Sequence, residues 1–539
     1  MLKFQNEINA IREINTTFAL RNQRKTMRVN IHQLNCKTKD CQYNTLQIEQ
    51  ALQASDDGVL NIFSELSLCG SPLYNAVSYN DIYKESSLCG ERLLRTEKSF
   101  IVGTVAKGEQ DTRYNSLVFV NNGEVIGLST KRNLQRFDNH FSVGNGLEVV
   151  KYEGKNLAFG FWEDFEGFVK RQVNVEVFIL CSNELFDKDD NEEIMNTLSF
   201  YARQTKAKII YVNRTGAEGS FIFSGRSFIM NERGEICEKL PMFENGSVFA
   251  DLKKIKPKKQ FNALCYEEKI FKAGVLGIKD YFHKNNIHKA VIGLSGGIDS
   301  ALAVVLGVEA LGKENVTGIL MPSKYSSDHS LMDAKASAEN LGIEYFTLPI
   351  EDIFEASLRT MQPIFEGREP NTAEENLQAR IRCMIVMAFG NKMGAAMLNT
   401  SNKSESAVGY GTLYGDDSGA ISVLGDLYKT DVYRLAKWIN SKKEIIPFSS
   451  INKPPSAELR YNQKDSDTLP EYDLLDNVLT DHIDKGLDFS QLIKKGYEKE
   501  LVERVLHLLK INEWKRHQEA PALRYSKTCF TTDYKQPIS

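Results

Sequence analysis

The chain has 539 residues, 67 Lys and Arg against 71 Asp and Glu, and a formal charge of −4, with no strongly basic block. That length predicts roughly two to four domains, and the charge balance gives no support to nucleic-acid binding driven by phosphate neutralisation. No apolar run approaches the roughly 20 residues of a membrane helix, so no membrane partner is expected, and nine scattered cysteines without a CxxC pair read as reduced thiols of a cytoplasmic protein.

Residues 1–26 are a polar, mildly helical extension without a long apolar segment, so a secretory signal is not expected. The cluster Arg21, Arg24, Lys25 and Arg28 leaves a transit peptide as an alternative. The plainer reading is a surface extension, or a start placed upstream of Met27. A first domain is placed at 27–251. Period-2 patterns predict strands over 28–34, 60–63, 100–105, 116–120 and 124–128, with a hairpin turn at Asn122-Gly123. Further strands are predicted over 157–162, 175–181, 208–213, 221–223 and 227–231, and helices over 44–54 and 195–205. Mixed strands with interspersed helices predict an α+β or layered sandwich domain.

Residues 253–259 read Lys-Lys-Ile-Lys-Pro-Lys-Lys, a connector that like-charge repulsion keeps solvated and extended. A linker is therefore placed at 252–264 and a second domain at 265–539. There a helix over 267–284 leads into an apolar strand over 290–294. The strand breaks at Ser295-Gly296-Gly297-Ile298-Asp299-Ser300, and a helical apolar pattern follows at Leu302, Val304, Val305 and Val308. Strands over 315–321, 343–349 and 395–400 alternate with helices over 330–341, 372–393 and 430–440. This β-α-β order predicts a doubly wound parallel sheet with ligands at the carboxyl ends of its strands. The tail from 471 is charged and helical.

A strand, a glycine turn and a helix N-terminus gather unpaired backbone N–H groups and the positive end of a macrodipole at one point, which attracts anions. The glycines let the backbone approach a phosphate, and Ser295 and Ser300 add hydroxyl donors. Asp299 suits a site that also holds a divalent cation with hard oxygen ligands, Mg²⁺. The turn lacks the Gly-Lys-Ser/Thr of a Walker A loop, which disfavours an ordinary P-loop NTPase. It resembles the pyrophosphate loop of the N-type ATP pyrophosphatases, which implies cleavage of ATP to AMP and pyrophosphate with adenylation of a substrate oxygen.

Further stretches narrow the family. They are Met321-Pro322-Ser323, Glu375-Asn376-Leu377-Gln378-Ala379-Arg380-Ile381-Arg382, Asn399-Thr400-Ser401-Asn402-Lys403-Ser404-Glu405, and Tyr414-Gly415-Asp416. Asp426-Leu427-Tyr428-Lys429-Thr430, Pro454-Pro455-Ser456-Ala457-Glu458-Leu459-Arg460 and Gln463-Lys464-Asp465 follow. Together they resemble NAD synthetase from about residue 265 to the C-terminus. The resemblance implies an adenine nucleotide alpha hydrolase-like fold, with ATP and deamido-NAD⁺ as substrates and Mg²⁺ as cofactor. It implies Ser295, Gly296, Gly297, Asp299, Ser300, Thr400 and Lys429 at ATP and its phosphates. It also implies Arg380, Arg382 and Lys464 at deamido-NAD⁺, and Asp299 and Glu405 sharing the metal. Asp416 would orient or deprotonate the nitrogen nucleophile, and Lys429 would act with it in catalysis. Each also has a plain structural reading: surface arginines, a helix-start carboxylate, a helix N-terminal lysine and a turn aspartate.

Residues 27–251 resemble the nitrilase-type glutaminase domain that many NAD synthetases carry, an α-β-β-α sandwich. Glu65 stands at the family's base and Lys131 at its triad lysine; Tyr211-Val212-Asn213-Arg214 and Phe223-Ser224-Gly225-Arg226-Ser227-Phe228 match further strands. Where that family has Cys-Glu-Asp, this chain reads Trp162-Glu163-Asp164. Tryptophan cannot form a thioester, and its indole would fill the volume a glutamine side chain needs. The expectation is an NAD⁺ synthetase with a degenerate glutaminase domain, amidating deamido-NAD⁺ through an adenylate, with nitrogen from free ammonia or a separate ammonia-supplying protein. A homo-oligomer, at least a dimer through the synthetase domain, is implied. The alternatives are a glutamine-dependent enzyme with Cys69 or Cys181 as relocated nucleophile, and another adenylating amidotransferase of the GMP-synthetase type.

Overall fold

The computed structural model describes residues 26–538 except 172, 173, 191, 259, 260 and 262. The extension predicted at 1–26 lies outside the described residues, apart from its last position. The chain divides into two compact units: one runs to Phe186 and includes Asp190–Glu218 and Ile222–Ala263, the other holds Asp187–Asp189, Gly219–Phe221 and the chain from Leu264.

The first unit contains β1 (Arg28–Gln33), α1 (Cys41–Ala54), β2 (Val59–Ile62), α2 (Asn80–Leu93), β3 (Ser99–Lys107), β4 (Arg113–Asn121) and β5 (Glu124–Thr130). After these come β6 (Glu148–Tyr152), β7 (Lys155–Phe161), α3 (Phe165–Val169), β8 (Val177–Ser182), α4 (Glu193–Thr205) and β9 (Lys208–Asn213). It closes with β10 (Thr215–Glu218), β11 (Phe221–Ser224), β12 (Phe228–Met230), β13 (Ile236–Lys239) and β14 (Gly246–Asp251). Two six-stranded sheets form, β14-β1-β2-β3-β4-β5 and β13-β12-β9-β8-β7-β6.

Three cores define the layers. Val29, Ile31, Ile62 and Phe119 meet Phe159, Ile179 and Val212 between the sheets. Ile48, Leu52 and Leu93 of α1 and α2 pack on the far face of the first sheet. Phe165, Leu198 and Ala202 of α3 and α4 pack on the far face of the second. The result is an α-β-β-α sandwich, the first half of the predicted fold class.

The connector after β14 begins as a turn rather than an extended segment. The amides of Lys254 and Ile255 both donate to Asp251 O, Leu252 is buried, and Ile255 packs on the intersheet core. Burial of its two apolar side chains outweighs repulsion among its exposed lysines.

In the second unit α5 (Tyr266–Lys284) leads to β15 (Lys289–Gly293), α6 (Ile298–Leu311), β16 (Val316–Leu320), α7 (Asp328–Leu341), β17 (Glu344–Thr347) and α8 (Glu351–Phe365). Then come α9 (Thr372–Met393), β18 (Ala395–Asn402), α10 (Lys403–Val408), β19 (Ile421–Leu424), α11 (Lys429–Ile439), α12 (Phe448–Asn452), α13 (Tyr472–Leu479), α14 (Phe489–Lys495) and α15 (Lys499–Ile511). All neighbouring strands are parallel, in the order β17-β16-β15-β18-β19. The chain winds outward from β15 to β17, then returns to β18 on the other side. The order therefore reverses between β15 and β18, where a doubly wound sheet opens its ligand crevice. α6 is buried on nearly every side, as its almost uninterrupted apolar sequence requires.

Candidate active site

The bend after β15 carries two glycines, and Gly296 is the one the geometry demands. Its φ is +79°, and a β-carbon there would fall 2.1 Å from Ser330 O at the start of α7. Ser295 Oγ accepts the Gly297 amide at 3.1 Å, and Ser300 Oγ donates to Gly297 O at 3.0 Å. Ser300, expected as a hydroxyl donor at the turn, is 3% exposed, lines the cavity and joins the turn to the first turn of α6. Ser295 is exposed, at the cavity mouth of the turn.

Asp299, in the first turn of α6, and Glu405, in the first turn of α10, arrive from β15 and β18, the two strands at the reversal. Lys429, first residue of α11, joins them, with Nζ 2.5 Å from Asp299 Oδ2 and 3.1 Å from Glu405 Oε1. Its ammonium lies 5.2 Å from the Tyr472 ring centroid, a cation–π contact. Burial pushes the Glu405 carboxyl up to about 8 against the pull of Lys429. Burial opposes the charge on Lys429, but Asp299 and then Glu405 hold it above its ordinary value.

A cavity of about 710 Å³ opens here, lined by Ser295, Gly297, Asp299, Ser300, Thr400, Arg382, Glu405, Asp416 and Lys429. Arg382 Nε donates to Met321 O at 3.1 Å, fixing the guanidinium beside the loop after β16. Asp416 Oδ1 accepts the Thr412 amide at 3.0 Å, and burial raises its carboxyl. Arg380 and Lys464 are exposed and not part of this lining; Arg380 Nε donates to Leu413 O at 3.2 Å.

Several residues at this site escaped the sequence reading. Asn402 Oδ1 accepts the Glu405 amide while its Nδ2 donates to Asp299 Oδ1 at 3.0 Å, so one side chain caps α10 and holds Asp299. The Asn-x-x-Glu capping-box spacing was the available signal. Buried Asp465 accepts the hydroxyls of Tyr410 and Tyr472 at 3.0 and 2.9 Å. Lys453 Nζ bonds Ser330 Oγ and Asp333 Oδ2 at 2.9 and 3.0 Å. No local pattern announces these two; they meet the site only through tertiary packing. Lys403, within a stretch that matched the family, is wholly buried against Asp426 at 2.9 Å and holds structure rather than ligand.

In the first unit Lys131 Nζ contacts three carboxylates: Glu65 at 2.9 Å, Asp138 at 3.1 Å and Glu163 at 2.8 Å. Asn115 bridges Glu65 and Asp138 at 2.6 and 3.0 Å. Burial pushes the Glu65 carboxyl up to about 8. Burial works against the charge on Lys131, and Glu163, Glu65 and Asp138 together keep it raised. Asp138 and Asn115 were missed because only the pairing of β3, β4 and β5 brings them to Glu65. The strand predicted to reach 162 ends at Phe161, and Trp162 opens a short 3₁₀ turn. Trp162 is half-buried and packs against the helix-side core that holds Phe165, while the next residue, Glu163, contacts Lys131. Cys181 is buried, with Sγ donating to Phe63 O at 3.2 Å, and burial pushes its thiol up. Cys69 is buried in the core under α1 and α2.

A parallel sheet whose reversal point carries a Ser-Gly-Gly turn, an acid from each neighbouring strand and a buried lysine defines an α/β enzyme of the ligase class, and residues 270–519 match the family model described as NAD synthase. The chain is 35% identical to the glutamine-dependent NAD(+) synthetase of Thermotoga maritima over 96% of this chain and 99% of the relative. With that of Synechocystis sp. it shares 36% identity over 91% and 94%. A solved glutamine-dependent NAD+ synthetase from Acinetobacter baumannii, in complex with ADP, superposes with a TM-score of 0.77 at 33% identity, covering 95% of this chain and 98% of that one. The chain belongs to the glutamine-dependent NAD(+) synthetase family, and it is an NAD⁺ synthetase.

Proposed function

We propose that the second unit amidates deamido-NAD⁺ with ATP through an acyl-adenylate, releasing AMP and pyrophosphate, and takes its nitrogen from ammonia. The observation that carries the reading is the convergence of Asp299, Glu405 and Lys429 beside the Ser295–Ser300 turn, on one cavity. A carboxylate repels nucleophiles, and an adenylate supplies the leaving group it lacks. The amides of the turn and the N-terminus of α6 face the place where pyrophosphate charge develops. Thr400 offers a hydroxyl to the nucleotide, Arg382 a guanidinium to the dinucleotide, and Lys429 an ammonium to the phosphates. Among the described residues no group of three or more His, Cys, Asp and Glu side chains is arranged to hold a metal. Mg²⁺ needs fewer, since it takes one or two carboxylates together with phosphate oxygens and waters, so the pair Asp299 and Glu405 fits it. Bound there, it would supply charge neutralisation of the departing pyrophosphate.

The ammonia reading rests on the first unit. The resemblance puts Glu65 and Lys131 at a glutaminase base and lysine and Trp162, which has no thiol, at the nucleophile, and burial holds Cys181 away from the thiolate form. The relatives are named glutamine-dependent, which makes the nitrogen donor the decisive measurement. With deamido-NAD⁺ and ATP, ammonium is expected to give NAD⁺ and glutamine none. NAD⁺ from glutamine alone would show a working nucleophile elsewhere in the chain, and none from either donor would favour a different adenylated acid, as in the GMP-synthetase type.

We further propose a homodimer through the second unit, with Arg380 and Lys464 acting at deamido-NAD⁺ from outside the cavity lining. Exposed Met384 and Met387 share a face of α9 with Arg380, which supports an assembled surface there. A cytoplasmic location is supported by nine free cysteines. Among the described residues no helix is long and apolar enough to cross a membrane.

A further inference from the structure

Three side chains on β14, β1 and β2 of the first unit form a hydrogen-bonded row that has no part in the site above. His32 Nδ1 lies 2.7 Å from Ser247 Oγ, and its Nε2 lies 2.9 Å from Asn61 Oδ1. Asn61 Nδ2 donates to the carbonyls of Val59 and Ser99 at 3.2 and 3.3 Å, which leaves Oδ1 for the ring. An amide oxygen only accepts, so Nε2 carries the ring proton. Burial holds the His32 pKa down at about 4, so the ring is neutral near neutral pH and Nδ1 is an acceptor. The Ser247 hydroxyl therefore donates to Nδ1. The ring is 1% exposed and stacks on Phe63, centroids 4.6 Å apart and planes inclined by 14°, whereas Ser247 is exposed.

The backbone adds two further parts. The Leu252 amide donates to Met27 O at 3.0 Å. Alternation along the antiparallel register then makes His32 and Ser247 a non-hydrogen-bonded pair. Side chains stand closest at such a pair, and the Ser247 amide points away from β1. β14 is the outer strand of its sheet, so that amide faces the edge. Phe249, two residues on, shares a face of β14 with Ser247 and is 49% exposed. A hydroxyl held by a neutral imidazole, the imidazole held by a third group, and an N–H beside the hydroxyl are the parts that nucleophilic acyl transfer needs.

We propose that Ser247 is a nucleophile, with His32 as its base, that takes the acyl group of a small uncharged ester whose apolar part rests on Phe249. The Ser247 O–H bond breaks and its proton passes to His32 Nδ1 as Oγ bonds to the acyl carbon. The Ser247 amide is the donor available to the carbonyl oxygen where charge develops. The C–O bond to the alcohol breaks, and the alcohol leaves with that electron pair and takes the proton from His32. Water then attacks the acyl-serine. His32 accepts a proton from it and returns one to Oγ, which frees the acid and restores the hydroxyl.

The test treats the full-length protein with diisopropyl fluorophosphate and, separately, with p-nitrophenyl acetate. Peptide mass mapping is expected to place a phosphoryl adduct on Ser247, and p-nitrophenol release is expected to begin with a burst equal to the chain concentration. Ser247→Ala, at an exposed edge position, should lose both, and Ser247→Cys should regain the burst. His32→Gln, with folding checked by thermal melt, should acquire the adduct about 100-fold more slowly, the usual order of a general-base contribution. If that variant does not fold, the two Ser247 variants decide. No adduct on Ser247, or a burst unchanged in Ser247→Ala, overturns the proposal, as does wild-type labelling of a folded His32→Gln.

Discussion

Glu65, buried, and Glu405, half-buried at its cavity, sit in separate units, yet each lies beside a lysine and desolvation pushes both up to about 8. In each case water is removed from the carboxylate faster than the neighbouring ammonium replaces it. For Glu65 the consequence is a stability that depends on pH. The folded state binds the proton more tightly than the unfolded chain does. The associated stability is therefore fully present below the ordinary glutamate value and is lost as pH rises through about 8. Lys131 is raised as well, so its contribution persists to higher pH. Glu65→Gln keeps an oxygen for Lys131 and Asn115 but removes the charge. Its Tm relative to wild type is expected to climb by a few degrees between pH 6 and pH 9. Thermal melts across that range check it, and a constant difference would contradict the burial account.

Among the elements, the bend between β15 and α6 has the least freedom. Gly296 needs a left-handed backbone and also lies against the first turn of α7, so two constraints meet in one residue. Gly296→Ala must shift either the bend or α7, and misplacement of about 1 Å at a reacting site costs on the order of 100-fold in rate. The expected result is such a loss in ATP-dependent AMP release, with a raised KM for ATP; initial rates against ATP concentration measure it. This element was legible because strand, glycines and helix are contiguous in the chain. β19 was not: its four residues are a short buried run between loops, and only pairing with β18 fixes it as a strand. β6 and β14 escaped for the opposite reason, since their outward residues are half exposed and break the apolar signal.

The molecule as a whole pairs an α-β-β-α sandwich with a doubly wound sheet, each with its own core. The sandwich keeps a fourfold charge cluster around Lys131 while Trp162 faces the helix-side core. Lys131 is the member the cluster cannot lose, since without it three neighbouring carboxylates have no counter-charge. Assembly belongs to this scale too. Met384 and Met387 are 51% and 44% exposed, one turn apart on α9. On the proposed homodimer, the double variant Met384→Glu, Met387→Glu is expected to have half the mass of the wild type in solution. Light scattering decides it, and an unchanged mass would move the contact elsewhere.

What the sequence determined by itself is whatever neighbours along the chain express: the Ser-Gly-Gly turn, the βα alternation, the tryptophan ahead of Glu163-Asp164 and the family those stretches resemble. Local steric and periodic rules suffice for these, because each is written within one turn or one strand. Only the tertiary structure decided that Lys429 lies between Asp299 and Glu405, that Asn402 holds Asp299, that Ser300 joins the turn to α6, and that Asp138 completes the cluster at Lys131. The contacts of Lys429 and Asn402 join residues 24, 103 and 130 positions apart, and the cluster at Lys131 draws Glu65 from 66 positions away. Their free energy comes from closing loops and excluding water around charge, which no local pattern encodes.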